Sequence, residues 1–171
     1  MQTFQQLFSQ LLKDIRIELN EEFDRNFERK AFFNTAWKQN RRGTPILIAS
    51  GMLRKSLRSQ IIGNSIRWES SIEYADIHNE GGTITVTPKM KGFFRYKMVI
   101  NYAKGSKVQS PEYQLWLSLA KKPVGSQIVM PKRQFIGDHP VVHQCVKDVT
   151  DEWFQNDVKN FIDNQLNNMI R

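Results

Sequence analysis

Apolar residues recur at Phe4, Leu7, Phe8, Leu11, Leu12, Ile15, Leu19, Phe23 and Phe27, in steps of one, three and four. Side chains at that spacing form one stripe along a helix, so the chain opens with a long amphipathic helix that must lie on an apolar surface. A second stripe, Val142, Cys145, Val146, Val149, Trp153, Phe161, Ile162, Leu166 and Met169, predicts a long helix at the other end. A chain of 171 residues with two such helices has room for a single domain built on one core. No apolar run approaches the roughly 18 residues needed to span a bilayer, so no membrane partner is expected. The opening "MQTFQQLFSQLL" has no basic start and no small-residue cleavage site, and it is not expected to act as a secretory signal.

Between the two stripes the period changes. Residues 50–56 read as a short helical segment running into a hairpin whose turn is Gly63-Asn64. After the turn, Ile66, Trp68, Ser70, Ile72 and Tyr74 alternate with Arg67, Glu69, Ser71 and Glu73, the pattern of a half-buried strand. "GTITVTP" is a further β segment, and a last strand is expected over residues 126–130. Thr87-Pro88 and Ser110-Pro111 each place a capping hydroxyl before a proline and so start two successive helices. The predicted fold is α+β: a small antiparallel β-sheet packed with long N-terminal and C-terminal helices, plus a helical insertion at about residues 87–125, all in one domain over residues 1–171.

The net charge of +8 is unevenly distributed. Residues 34–67 hold seven bases and no acid, and residues 83–137 hold ten bases against Glu112 alone, while the flanking helices are mildly acidic. Cations gathered in this way suit a polyanion or an acidic protein surface. One reading is therefore a nucleic-acid-binding module using residues 34–67 and 83–137, with Arg41, Arg42, Arg54, Lys55 and Arg58 beside the hairpin and aromatics interleaved in "KMKGFFRYKMVINYAKGSK".

Catalytic signals are few. The chain has no Gly-rich phosphate loop, no G-x-S-x-G elbow and no H-E-x-x-H, so no enzymatic activity and no cofactor are expected. His143 and Cys145 are two residues apart on a predicted helix and point about 200° from each other, so they cannot share a proton. Cys145 is expected to serve in the core, and His139 before Pro140 to belong to a helix cap.

"YADIHNEGG" over residues 74–82 is the densest cluster of polar chemistry. As a strand it would align Asp76, His78 and Glu80 as metal ligands, but on the face already occupied by Ile66, Trp68, Ile72 and Tyr74, where two carboxylates are costly. As a helical turn it sends Tyr74, Ile77 and His78 inward and leaves Asp76 and Glu80 in water. Gly81-Gly82 then lets the chain reverse with backbone angles other residues avoid. Architecture is the expected role, and no metal is assigned.

"FDRNFERKAFFNTAW", "ILIASGMLRKSL", "YADIHNEGG" and "MPKRQFIG" stand in the order and spacing of a known family. The chain resembles the virion morphogenesis, or tail completion, proteins of Mu-like tailed phages and prophages. Their Leu-Thr-Gly-x-Leu-Arg-x-Ser pattern is matched at residues 49–56, with Ala49 and Ser50 replacing leucine and threonine. The Tyr-Ala-x-Ile-His-x-x-Gly and Arg-x-Phe-x-Gly patterns are matched from Tyr74 and from Arg133. The resemblance covers about residues 23–162. It implies a non-enzymatic phage protein at the head–tail junction, in or beside the neck, without a cofactor. Implied partners are other head–tail or tail proteins, further copies in a ring, and DNA through non-specific contact. The implied location is the host cytoplasm during assembly and then the virion.

Candidate structural or interface residues are Arg54, Tyr74, His78, Gly81, Gly82, Arg133, Phe135 and Gly137 in the motifs, with Phe93, Phe94 and Trp116 in the insertion. The insertion is basic and rich in aromatics, so it is expected to project as a helical arm and to be the main subunit or partner contact.

Overall fold

The computed structural model describes residues 3–39, 47, 50–103 and 110–170. Arg41, Arg42, Ala49, Lys104 and Lys107, named above or counted among the bases, lie outside these residues, as do most of the two loops that contain them.

Helix α1 (Phe4–Arg29) is the axis of the fold, about 39 Å long at the helical rise. Thr3 caps it reciprocally: its hydroxyl accepts from Gln6 N at 3.2 Å, and its own N–H donates to the Gln6 side chain at 2.8 Å. The predicted stripe is the buried face, with Leu7, Leu11, Ile15, Leu19 and Phe23 in one core cluster and Phe27 in a second. Two polar residues share that face. Glu22 is buried and paired with Arg25 and with Arg29, and Asn26 is fully buried.

At Lys30 the backbone enters the left-handed region, and the chain folds back through β1 (Ala31–Phe32) and β2 (Thr35–Ala36). Phe33, in the turn between them, has φ +52°. A bulky residue there costs about 1–2 kcal/mol, which burial of its ring, worth about 1.5–3 kcal/mol, offsets. The turn lets consecutive Phe32 and Phe33 both face the core, where Phe33 stacks on His139 at 4.5 Å.

Helix α2 (Met52–Ser56) leads into β3 (Leu57–Ile62) and β4 (Ser65–Ser70), an antiparallel ribbon closed at Gly63, φ +59°. Its inner face meets α1 through Trp68, whose ring stands edge-on to Phe23 at 5.4 Å and whose Nε1–H donates to Asn20 at 2.8 Å. The predicted strand through Tyr74 stops at Ser70, because α3 (Ala75–Glu80) begins instead.

Strand β5 (Gly82–Thr85) follows, then α4 (Pro88–Ala103), α5 (Pro111–Lys121) and β6 (Gln127–Met130), which pairs antiparallel with β5. The cap hydroxyls act as predicted: Thr87 accepts from Met90 N at 3.2 Å and Ser110 from Tyr113 N at 3.3 Å. Gly92 passes within α4 without breaking it. The fold is α+β as expected, but the described strands form three separate two-stranded ribbons and not one sheet.

Helix α6 (Pro140–Trp153) starts at His139, whose Nδ1 accepts from Val141 N at 3.2 Å. It continues through one π-helical turn (Phe154–Val158) into α7 (Lys159–Met169). Val142, Cys145, Val146 and Val149 pack on α1 as predicted, and burial raises the Cys145 thiol pKa. The second stripe was expected to mark one long helix packed on the sheet. It leaves the core after Phe161: Phe4, the first residue of α1, is the ring that meets Trp153 and Phe161, and Ile162, Leu166 and Met169 beyond it are exposed.

Asn26 joins the two core clusters. Its Nδ2 donates to the Phe135 carbonyl at 3.1 Å and its Oδ1 accepts from Phe33 N at 2.9 Å. Asn26→Ala orphans both buried backbone groups and is expected to cost about 2–4 kcal/mol in urea unfolding, a loss far larger than that of an exposed asparagine. A change below about 1 kcal/mol would show that Asn26 does not hold the fold.

Candidate functional site

Three of the sequence motifs meet in one node around residues 133–136, a segment that lies in no described strand. Five of its backbone groups bond to other elements. Arg133 N donates to the His78 carbonyl at 2.8 Å, and the Gln134 carbonyl accepts from Trp37 Nε1 at 2.6 Å. Phe135 N and Ile136 N both donate to Asn79 Oδ1, at 3.0 and 3.2 Å, while the Phe135 carbonyl takes the Asn26 amide. The Phe135 ring is buried against Phe27, with centroids 5.2 Å apart.

The short helix α3 faces this segment as the helical reading required. Asp76 and Glu80 are exposed, and Glu80 pairs with Lys132 at 3.4 Å. Among the described residues, no three His, Cys, Asp or Glu side chains gather as a metal site would need. Tyr74 departs from the reading. It was expected to anchor inward with the helical turn, but it stands at the N-cap of α3 and is 43% exposed, its ring edge-on to His78 at 5.7 Å.

His78 is half-buried, and its Nδ1 has no hydrogen-bond partner among the described residues. Its pKa is lowered, first by burial and then by the Arg133 guanidinium. Arg133 is itself buried, which lowers its pKa, and its Nε donates to the Lys38 carbonyl at 3.1 Å.

The glycines have distinct tasks. At Gly81, φ +74°, an added Cβ would stand 2.8 Å from the Lys132 backbone nitrogen. At Gly82, φ +141°, it would meet the Ile77 Cδ1 methyl at 2.9 Å, and a flexible side chain can move. Gly137, φ +138°, leaves space for the Gln134 amide, which donates to the Ile136 carbonyl at 3.2 Å.

Arg54 lies outside the node. It forks onto Asp24 and bonds Glu28 at 2.7 Å, tying α2 to α1, and these carboxylates raise its pKa, Asp24 most. Two cations of the proposed nucleic-acid segments, Arg54 and Arg133, are thus engaged within the fold. The remaining candidates form the arm. Phe94 is buried between α4 and α5, in ring contact with half-buried Trp116, while Phe93 is 48% exposed.

The match to the phage virion morphogenesis family spans residues 5–155, from the first turn of α1 to just beyond α6, with the node and the arm between. The chain belongs to the phage virion morphogenesis family. Its role is accordingly a structural or assembly role in the phage virion. No curated protein and no solved structure matches the chain. The family match covers both the latch at residues 133–136 and the α3 turn that holds it, and α7 lies beyond it. No described helix is long and apolar enough to cross a membrane.

Sequence reasoning missed Asn26, Trp37 and Asn79, the side chains that hold the latch. A signal existed for Asn26: seven residues at 100° each bring it to within about 20° of Leu19, in the middle of the apolar stripe. An asparagine there must find buried partners.

Gly81→Ala is expected to cost about 2–4 kcal/mol in chemical unfolding, because backbone atoms of Lys132 cannot yield, with Gly82→Ala milder and Glu80→Ala within about 0.5 kcal/mol. The lowered His78 pKa means that the unfolded chain binds more protons, so stability is full above about pH 6.5 and falls as the pH drops through that value. The fall between about pH 7 and pH 5 is expected to be smaller in His78→Leu, and equal slopes in the two proteins would refute this.

Proposed function

We propose that this protein is a non-enzymatic neck or tail-completion component that acts at the head–tail junction, where it forms a ring or docks on one. The observation that carries the reading is the arm: α4 turns Phe93, Tyr96, Val99 and Tyr102 to solvent, all exposed, on a helix whose only charged residues are bases. Apolar surface of that extent beside cations marks a contact face, and the core, already closed by α1, α6 and the latch, does not need it. Family membership supports an assembly partner as the occupant. The structural use of Asn79, Gly81, Phe135 and the His78 carbonyl in the node supports a scaffold and not a reaction centre. On this reading the protein accumulates in the host cytoplasm and ends in the virion, touching other head–tail proteins and further copies of itself.

Deleting the gene from its phage or prophage is expected to leave heads and tails unjoined in electron micrographs, with infectivity restored by the full chain supplied in trans. A version with residues 90–122 replaced by a short Gly-Ser linker should fold and fail to restore it. Infectious particles from the deletion strain would overturn the reading.

A further inference from the structure

Two surfaces of this chain are apolar, exposed and opposite in charge. The first is the arm, where Tyr96 and Tyr102 are 59% and 62% exposed. The described arm residues, 88–103 and 110–122, carry six bases, Lys89, Lys91, Arg95, Lys97, Lys121 and Lys122, against Glu112. The second is the C-terminal helix past its contact with α1. Ile162, Leu166 and Met169, spaced four and three apart, lie on one face of α7, and Leu166 and Met169 are 51% and 82% exposed. Residues 140–169, the whole continuous helix, carry Asp148, Asp151, Glu152, Asp157 and Asp163, all exposed, against Lys147 and Lys159.

Past its contact with α1 the continuous helix keeps the apolar face of α7 in water, so burying that face against a partner is favourable. We infer that the partner is a second copy of this chain: the basic aromatic face of the arm of one copy seats on the α7 stripe and the acidic outer face of α6 and the π-helical turn of the next. This rests on the assembly reading above and names the surfaces it uses.

Charge decides the pairing. Arm against arm would bring excess cations together, and the α6–α7 helix against itself would bring excess acids together, so both self-complementary dimers are opposed. Arm against α7 matches apolar to apolar and base to acid. Such a contact joins unlike surfaces and leaves one of each free on every dimer, so it propagates, and it forms a ring where the rotation between copies closes.

The test uses the full chain in two variants altered only at exposed positions: Tyr96→Ser with Tyr102→Ser in the arm, and Leu166→Ser with Met169→Ser in α7. Native mass spectrometry and sedimentation are expected to show oligomers for the wild type and monomers for each variant, with unchanged circular dichroism and melting. Mixing the two variants should restore one intact contact and give a one-to-one pair that grows no further. A self-complementary interface could not be rescued in that way. The inference is overturned if either variant assembles like the wild type, if the mixture stays monomeric, or if the wild type is monomeric up to near-millimolar concentration. In those cases the head–tail role still stands, because it is judged separately by the infectivity of the deletion strain.

Discussion

The fold depends on one buried amide. Asn26 has no access to solvent, so each polar atom of its side chain must be matched inside the protein. The two matches it makes are the N–H of Phe33, seven residues away, and the carbonyl of Phe135, 109 residues away. The first holds a phenylalanine in a left-handed turn that it would otherwise avoid, so that both Phe32 and Phe33 enter the core. The second fixes the latch against α1 beside Phe27. Apolar packing alone would tolerate small slips of these segments. A pair of directional hydrogen bonds in a dry site does not, which is why an amide and not a leucine stands in the middle of the stripe.

Around this point the protein achieves without a sheet what a sheet usually provides. Among the described residues the latch pairs with no strand, and its backbone groups are met by Asn26, Trp37, Asn79 and the His78 carbonyl. That accounts for the density of polar residues in residues 74–82. The asparagine bonds the latch, the histidine contributes its backbone oxygen, the acids remain outside, and Gly81 allows Lys132 to pass at a distance no Cβ would permit. Within this cluster, the Asn79 side chain and the His78 carbonyl close backbone hydrogen bonds of the latch.

The arm and α7 follow another logic. Each is a helix with an apolar face, yet neither face is covered in the single chain. Phe94 and Trp116 hold α4 and α5 to each other, and the β5–β6 ribbon joins the pair to the body, which leaves the outer aromatics in water. In α7 the stripe continues past the point where α1 begins. A stripe that outruns its partner helix is surface the chain alone does not bury, and it is the surface that the proposed contact between copies would cover.

The sequence by itself determined what depends on neighbours within about four residues along the chain. The stripe of α1, the capping hydroxyls of Thr87 and Ser110, the turn at Gly63 and the helical geometry of residues 75–80 are all local, and each is where the spacing placed it. The tertiary structure alone decided which segments meet. Periodicity marks a face as apolar but does not say whether a partner lies across from it, so Ile162, Leu166 and Met169 read as core and are exposed. Alternation marks strands but not their neighbours, so one expected sheet became three ribbons. The strand read through Tyr74 ended four residues early, at Ser70, and Tyr74 is exposed at the N-cap of α3. The bond from Asn26 to Phe135 joins positions whose proximity no local pattern encodes, since it exists only once both ends of the chain have folded against α1.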